Sequence, residues 1–358
     1  MRIGVATVYT PGIFGGAEFL AAGLEHAFRR AGHTLHSIRI PFHFEPPGAA
    51  HEAMRQAASV DFSRYDGGQI DALICLKFPA YLIEHPNKAL WLLHQHRPAY
   101  DLYDTPYGWA KGHAETDALR AEIIAADTQS LGSAKAVFTI AERVSQRLQH
   151  HNGIASKALY HPPADADAFH CAEAMPYIFA PSRLEILKRQ DLLLRAVAAC
   201  PRPVQVIFGG TGGRRALLED LAAELAITGR VRFLGEISRA EMIALYAHAA
   251  AVFFGPLDED YGYVTLEAML SAKPLITCTD SGGPLEFVLD GETGLICAPT
   301  PDAVAEALTQ IIDQPAKAAA MGQAGRQRYA DMQIGWQPVV DTLLDGALGR
   351  TNPSARAA

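Results

Sequence analysis

The sequence predicts an α/β protein made of two doubly wound domains. Three observations carry that prediction. Short apolar runs bounded by Gly, Pro or polar residues alternate with helical patterns along the whole chain, the signature of parallel strands covered by helices. The stiff, polar, aperiodic stretch Pro162-Pro163-Ala164-Asp165-Ala166-Asp167 interrupts the alternation once, and the pattern restarts after it. At 358 residues the chain also exceeds what one hydrophobic core normally organises. The predicted domains are residues 1–166, joined by a last helix at about 334–350, and residues 167–333, with a ligand cleft expected between them.

In the first domain, residues 3–8 read as a buried strand and residues 9–14 as a loop. Gly15-Gly16-Ala17-Glu18 then opens a helix that Gly32 closes, and residues 34–40 form the next strand. Two glycines at a helix start let a phosphate approach unpaired amides and the positive end of the helix dipole. Gly12, Gly15 and Gly16 do not follow GxGxxG, and Arg39 stands where a dinucleotide-binding unit carries an acid, which argues against an NAD-type oxidoreductase. Strands follow at 72–76 and 89–93. The second runs into His94-Gln95-His96-Arg97, at the strand end where open α/β sheets place ligand groups, so His94 is a candidate site residue. Residues 97–113 are rich in Tyr, Pro, Gly and Asp, resist a regular assignment, and are read as an acceptor loop. A helix at 116–130, a strand at 136–140, a helix at 142–150 and a short strand at 157–160 complete this half.

The second half repeats the pattern. Residues 177–180 form a strand, and residues 181–191 a loop entering a helix that runs to position 199. Strands at 204–208 and 231–234 alternate with helices at 214–226 and 239–248. Residues 274–278 form a strand followed by Ser281-Gly282-Gly283-Pro284 and a short helix, and Gly291-Glu292-Thr293-Gly294 turns into a strand at 295–297. Helices at 301–313, 316–329 and 337–348 follow, and residues 351–358 read as a frayed tail.

The chemistry concentrates between positions 251 and 270. A buried strand at 251–254 stops at Gly255-Pro256, and Asp258-Glu259-Asp260-Tyr261-Gly262 forms an acidic glycine turn into a helix that begins near Tyr263-Val264-Thr265. The helix start is a phosphate site in waiting, and Glu259 and Glu267 on either side can accept hydrogen bonds from sugar or ribose hydroxyls. Together these parts suggest a nucleotide-sugar pocket. Without partners elsewhere in the chain, they equally describe an acidic surface turn.

Bulk composition narrows the function classes. A hydrophobic share of 49% with 20% charged residues is ordinary for a globular protein, and a net charge of −8 argues against nucleic acid as the main partner. Five scattered cysteines without CxxC spacing point to reduced thiols, and no metal-ligand cluster emerges. The N-terminus lacks a signal-peptide shape and no apolar run approaches a membrane span. The expected location is cytoplasmic, with room for peripheral contact at the inner face of a membrane.

Glu259-(seven residues)-Glu267, with Gly262 between and Ala268-Met269 after, resembles the E-x7-E signature of the family-4 retaining glycosyltransferases of the GT-B fold. Asp260 stands where that family usually has Gly, and Tyr261 where it has Phe. Lys273-Pro274, Gly282-Gly283-Pro284-x-Glu286 and Gly291-x-x-Gly294 continue the pattern in order. Arg183, Lys188 and Asp191 match the basic motif G-R-x-x-x-x-K-G-x-D, with Ser182 and Arg189 in place of its glycines. Val231-Arg232-Phe233-Leu234-Gly235 resembles the strand beside the base pocket, and Trp336 opens what looks like the helix that crosses back onto the first domain.

The resemblance implies a metal-independent transferase with no resident cofactor. It would move a sugar from a nucleoside-diphosphate donor, UDP- or GDP-linked, to a glycan, lipid-linked or small-molecule acceptor. Arg183 and Lys188 would stabilise the departing phosphate, Glu259 would hold the transferred sugar, and His94 would lie near it. Glu267 would bind the ribose, while Gly15, Gly16, Gly235, Tyr261, Gly262, Tyr263, Val264 and Thr265 would line the donor site. The alternatives are a sugar-nucleotide epimerase of the same fold, a glycan phosphorylase, for which no pyridoxal-lysine motif is evident, and a non-catalytic nucleotide-sugar-binding protein.

Overall fold

The computed structural model describes residues 1–11, 15–43, 46–62 and 68–350, so positions 12–14 of the first loop and the predicted tail lie outside the described residues. The chain divides into two compact units. One is Met1–His161 together with the segment from Gly335, and the other is Pro162–Ile334.

The first unit is a parallel sheet of β1 (Arg2–Tyr9), β2 (Thr34–Pro41), β3 (Ala72–Cys75), β4 (Lys88–Leu92), β5 (Ala136–Thr139) and β6 (Lys157–Ala158), in the order β2-β1-β3-β4-β5-β6. Its helices are α1 (Gly16–Arg30), α2 (Gly48–Ala58), α3 (Ala114–Ser133) and α4 (Glu142–Asn152). Every residue of β3 and β4 is buried, as expected of strands covered on both faces. Helix α2 escaped the sequence reading. Its buried stripe is Ala50, Ala53, Met54 and Ala57, a correct helical period written almost wholly in alanine, which gives little hydrophobic contrast.

Residues 97–113 are pinned to α3 by side chains. Arg120 Nε donates to the Ala99 carbonyl at 2.9 Å and its guanidinium lies 4.2 Å from the Tyr103 ring, while Tyr103 and Tyr100 donate to Asp117 and Asp127, each at 2.7 Å.

The second unit is built from β7 (Tyr177–Pro181), β8 (Gln205–Gly209), β9 (Val231–Phe233), β10 (Ala251–Phe253), β11 (Leu275–Cys278) and β12 (Gly294–Cys297), all parallel, in the order β12-β11-β10-β7-β8-β9. Between them run α5 (Gln190–Ala199), α6 (Arg215–Glu224), α7 (Arg239–His248), α8 (Tyr263–Leu270) and α9 (Pro284–Phe287), and α10 (Pro301–Asp313) and α11 (Pro315–Asp331) follow the last strand. One core, containing Leu193, Val197, Phe208, Val304 and Leu308, fills one side of this sheet. A second, containing Phe179, Tyr246, Val252 and Phe254, fills the other.

The last helix, α12 (Trp336–Leu348), packs on α1 and on β3, β4 and β5 of the first unit. A Cβ on Gly23 would sit 2.3 Å from the Trp336 ring, so only glycine lets that indole lie against α1. The Trp336 ring meets Trp91 edge-on at 6.3 Å and His161 at 5.8 Å.

His161 is fully buried among these rings, and burial pushes its imidazole down from an ordinary value of 6.5 to about 3. His96, walled by Phe42, Phe78 and Trp109, is depressed in the same way, chiefly by burial. Between those values the unfolded chain takes up protons that the native state refuses, so each histidine removes stability as pH falls. Asp127 opposes them, because burial raises its carboxyl to about 7 and the native state gains a proton first. A difference measurement isolates one group. Relative to wild type, His161→Phe is expected to gain about 2 kcal/mol between pH 7 and pH 5. Urea denaturation at the two pH values checks this, and an unchanged difference would refute it.

Candidate active site

The second sheet changes direction between β7 and β10. Connections from these two strands leave toward opposite sides, and a crevice opens outside their carboxyl ends, where doubly wound sheets bind ligands. The sequence-predicted residues arrive there from three loops. The loop after β7 carries Arg183 and Lys188, the loop after β10 carries Glu259, and the loop after β11 carries Asp280 to Gly283.

Lys188 Nζ forms an ion pair and hydrogen bond with Glu259 Oε2 and lies 5.5 Å from the Phe254 ring centroid. Both side chains are mostly buried, at 17% and 22% exposure. The cation assigned to phosphate and the carboxylate assigned to the sugar are thus neighbours. Arg183 is exposed, and its guanidinium makes no hydrogen bond or ion pair with the described residues. Its main chain is fixed from beneath, because Gln190 Nε2 donates to the Arg183 carbonyl and to Ser182 Oγ, each at 2.8 Å.

The Glu259 loop is laced to the loop after β11. Asp258 N donates to Asp280 O at 2.9 Å, Glu259 N to Ser281 O at 2.9 Å, and Gly283 N to Glu259 O at 2.8 Å. Gly282 has φ 73°, and a Cβ there would lie 2.5 Å from the Glu259 carbonyl oxygen. The glycine pair after Ser281 is therefore a strap on which the carboxylate loop lies flat. Gly262, also left-handed at φ 83°, caps α8, and the amides of Tyr263 and Val264 lead that helix. Tyr261 is buried edge-on against Tyr263 and Phe287, and Thr265 is fully buried beneath the helix start. Asp260 is half-buried, with its carbonyl packed on the Gly283 backbone.

Glu267 points from α8 to the other side of this loop and is 7% exposed. Arg239 Nη1 donates to its Oε1 at 2.8 Å and Tyr246 Oη to its Oε2 at 2.7 Å. Burial pushes the Glu267 carboxyl above its usual range, and the Arg239 guanidinium pulls it part of the way back. Gly235 is left-handed at φ 75°, and its carbonyl accepts from Gly210 N at 2.8 Å.

In the first unit, Gly15 N donates to Glu18 Oε2 at 2.8 Å. The amide that the sequence offered to phosphate is held by a carboxylate three residues on in this structure. His94 is half-buried at the end of β4, with Nδ1 2.6 Å from the Gln95 carbonyl.

Sequence reasoning missed Arg189, Asp280, Arg239 and Tyr246. Arg189 adopts φ 50°, ψ 43°, a left-handed conformation that costs a non-glycine residue of order 1 kcal/mol. Its guanidinium nonetheless makes four hydrogen bonds, to both Asp280 oxygens and to the Gly255 and Pro256 carbonyls. A signal was available for Arg239, since Ser238-x-x-Glu241 is a capping box that places Arg239 at the start of α7.

Residues 167–328, all within the second unit, match the family model described as Glycosyl transferases group 1. A D-inositol 3-phosphate glycosyltransferase of Streptomyces avermitilis is 28% identical over 340 residues, 78% of this chain and 72% of that protein. An alpha-1,3/1,6-mannosyltransferase of Dictyostelium discoideum is 36% identical over 126 residues, 35% of this chain and 30% of that protein. The chain thus spans less than a third of that mannosyltransferase's length. Among solved structures, sucrose-phosphate synthase from Thermosynechococcus elongatus superposes with a TM-score of 0.79 at 18% identity, covering 98% of both chains. Anabaena HepE in complex with UDP-glucose gives 0.70 at 18% identity, covering 98% of this chain and 99% of that one. These neighbours share the fold, the two-domain α/β architecture of GT-B glycosyltransferases. No helix among the described residues is long and apolar enough to cross a membrane.

Proposed function

We propose that the protein is a retaining, metal-independent glycosyltransferase of the E-x7-E type that moves a sugar from a nucleoside-diphosphate donor to an acceptor hydroxyl. The observation that carries this reading is the convergence of Arg183, Lys188, Glu259 and the start of α8 on the reversal point of the second sheet. As the bond from the sugar to the β-phosphate breaks, negative charge grows on the phosphate oxygens. Arg183 meets it as a two-pronged donor and Lys188 as a compact charge, both already in position before the bond weakens. Glu259 turns from Lys188 toward the sugar hydroxyls, and Glu267 accepts from the ribose. The acceptor oxygen attacks from the face the phosphate leaves, and its proton passes to a phosphate oxygen, so no enzyme nucleophile is needed.

The donor is a UDP- or GDP-sugar, with UDP-glucose in the HepE structure as the precedent, and the acceptor is a glycan, a lipid-linked sugar or a small molecule. Thermal-shift screening against UDP-glucose, GDP-mannose, ADP-glucose and dTDP-glucose tests it. A true donor at about a hundred times its Kd is expected to raise Tm by about 5 °C or more, and its turnover to persist in EDTA. No shift with any of them, or activity abolished by the chelator, would overturn the proposal.

A further inference from the structure

We infer that Arg189 is a positioning residue for this site: its guanidinium locks the Lys188–Glu259 pair in register by tying three loops together. The inference rests on the proposed function for its consequence in catalysis, but the lock itself is geometric. Nε donates to the Gly255 carbonyl at 2.8 Å and Nη2 to the Pro256 carbonyl at 2.8 Å, which holds the exit of β10. Nη1 and Nη2 grip Asp280 Oδ2 and Oδ1 at 2.7 Å each, which holds the exit of β11. Arg189 itself directly follows Lys188. One planar group therefore touches the loop of the cation, the loop of the carboxylate and the strap beneath both.

The surrounding main chain makes this group the base of a short ladder. Leu257 N donates to Leu187 O at 2.8 Å, and Asp258 and Glu259 then pair with Asp280 and Ser281. Gly255 and Pro256 are buried, so their carbonyls have no ready water to replace a lost guanidinium. Lysine cannot substitute. A point charge on a flexible stem serves neither the fork to Asp280 nor two carbonyls at once. The left-handed backbone at Arg189 points the same way, because a strained residue persists where its surroundings hold it.

Arg189→Gly is the variant of choice, since glycine accepts φ 50° without strain and removes only the side chain. Two readouts are taken on the full-length protein. The first is acetylation of Lys188 by acetic anhydride, read by peptide mass spectrometry, which needs no substrate. Labelling is expected to rise at least threefold in Arg189→Gly and in Arg189→Lys, as the lysine leaves its carboxylate. The second is turnover of whichever of UDP-glucose or GDP-mannose the wild type consumes. There kcat is expected to fall at least thirtyfold with donor KM changed less than threefold, and methylguanidinium is expected to restore part of kcat in Arg189→Gly but none in Arg183→Ala. Wild-type Lys188 labelling in Arg189→Gly would overturn the lock whatever the enzyme does. Increased labelling with unchanged kcat would overturn its part in catalysis, and a wild type that consumes neither donor while labelling still rises would sink the functional reading and leave the lock standing.

Discussion

Arg183→Ala is expected to cut donor turnover by about two to three orders of magnitude while moving Tm by no more than about 2 °C. The separation follows from what the side chain touches. Arg183 is exposed and its guanidinium bonds to no described residue, so deleting it removes no native contact. In the proposed reaction the variant loses a charge whose attraction to the phosphate oxygens strengthens as their negative charge grows with the breaking donor bond. Such a contact is stronger in the transition state than in the ground state, so kcat falls more than KM rises. Lys188→Ala makes the control. Its activity loss is expected to be similar, but it strips Glu259 of a partly buried partner and costs stability of about 1 kcal/mol as well. Michaelis kinetics and thermal melts on the two variants read both effects. An Arg183→Ala enzyme with wild-type kcat would refute the role.

The architecture was largely legible before any coordinates. The twelve strands among the described residues appear within one or two residues of where apolar runs and turn residues put them, and those buried along their whole length, such as β3, β4 and β11, spell themselves as continuous runs. What failed was a helix without contrast, α2. The site was legible only in its outline. Acidic and basic residues at strand ends are visible in a sequence, and so are glycine turns. Invisible is which of them pair, because Lys188 and Glu259 lie 71 positions apart and nothing in either neighbourhood names the other. The side chains that hold the site are harder still. Arg189 reads as one more surface arginine, and its meaning lies in four acceptors supplied by segments 66 to 91 positions downstream. Ser281-Gly282-Gly283-Pro284 reads as a turn, and only packing shows it as the surface on which the Glu259 loop rests.

The same blindness covers Arg239, and it yields the second large expectation. Arg239→Met keeps an apolar stem over the Phe169 ring, 4.9 Å from the guanidinium in the native protein, and removes the charge beside Glu267. A fully buried carboxylate stripped of its partner costs roughly 3–5 kcal/mol. Arg239 is 32% exposed, so screening by water reduces this to about 2 kcal/mol. The pH dependence carries the diagnosis. Burial already raises the Glu267 carboxyl, and loss of Arg239 raises it further, so the variant's native state binds a proton that the unfolded chain at the same pH releases. Protonation relieves the buried charge. The stability deficit is therefore expected to be largest near pH 8 and to shrink as pH falls toward 5.5. Adding Glu267→Gln to Arg239→Met is expected to recover most of the deficit at pH 8, because a neutral amide does not need the guanidinium. In the proposed function Glu267 would contact the ribose, remote from the breaking bond, so donor KM is expected to rise about tenfold with kcat nearly unchanged. Chemical denaturation of the single and double variants at the two pH values decides the matter. A deficit that stays constant or grows on acidification would mean that Arg239 acts through packing and that Glu267 carries no charge to be answered.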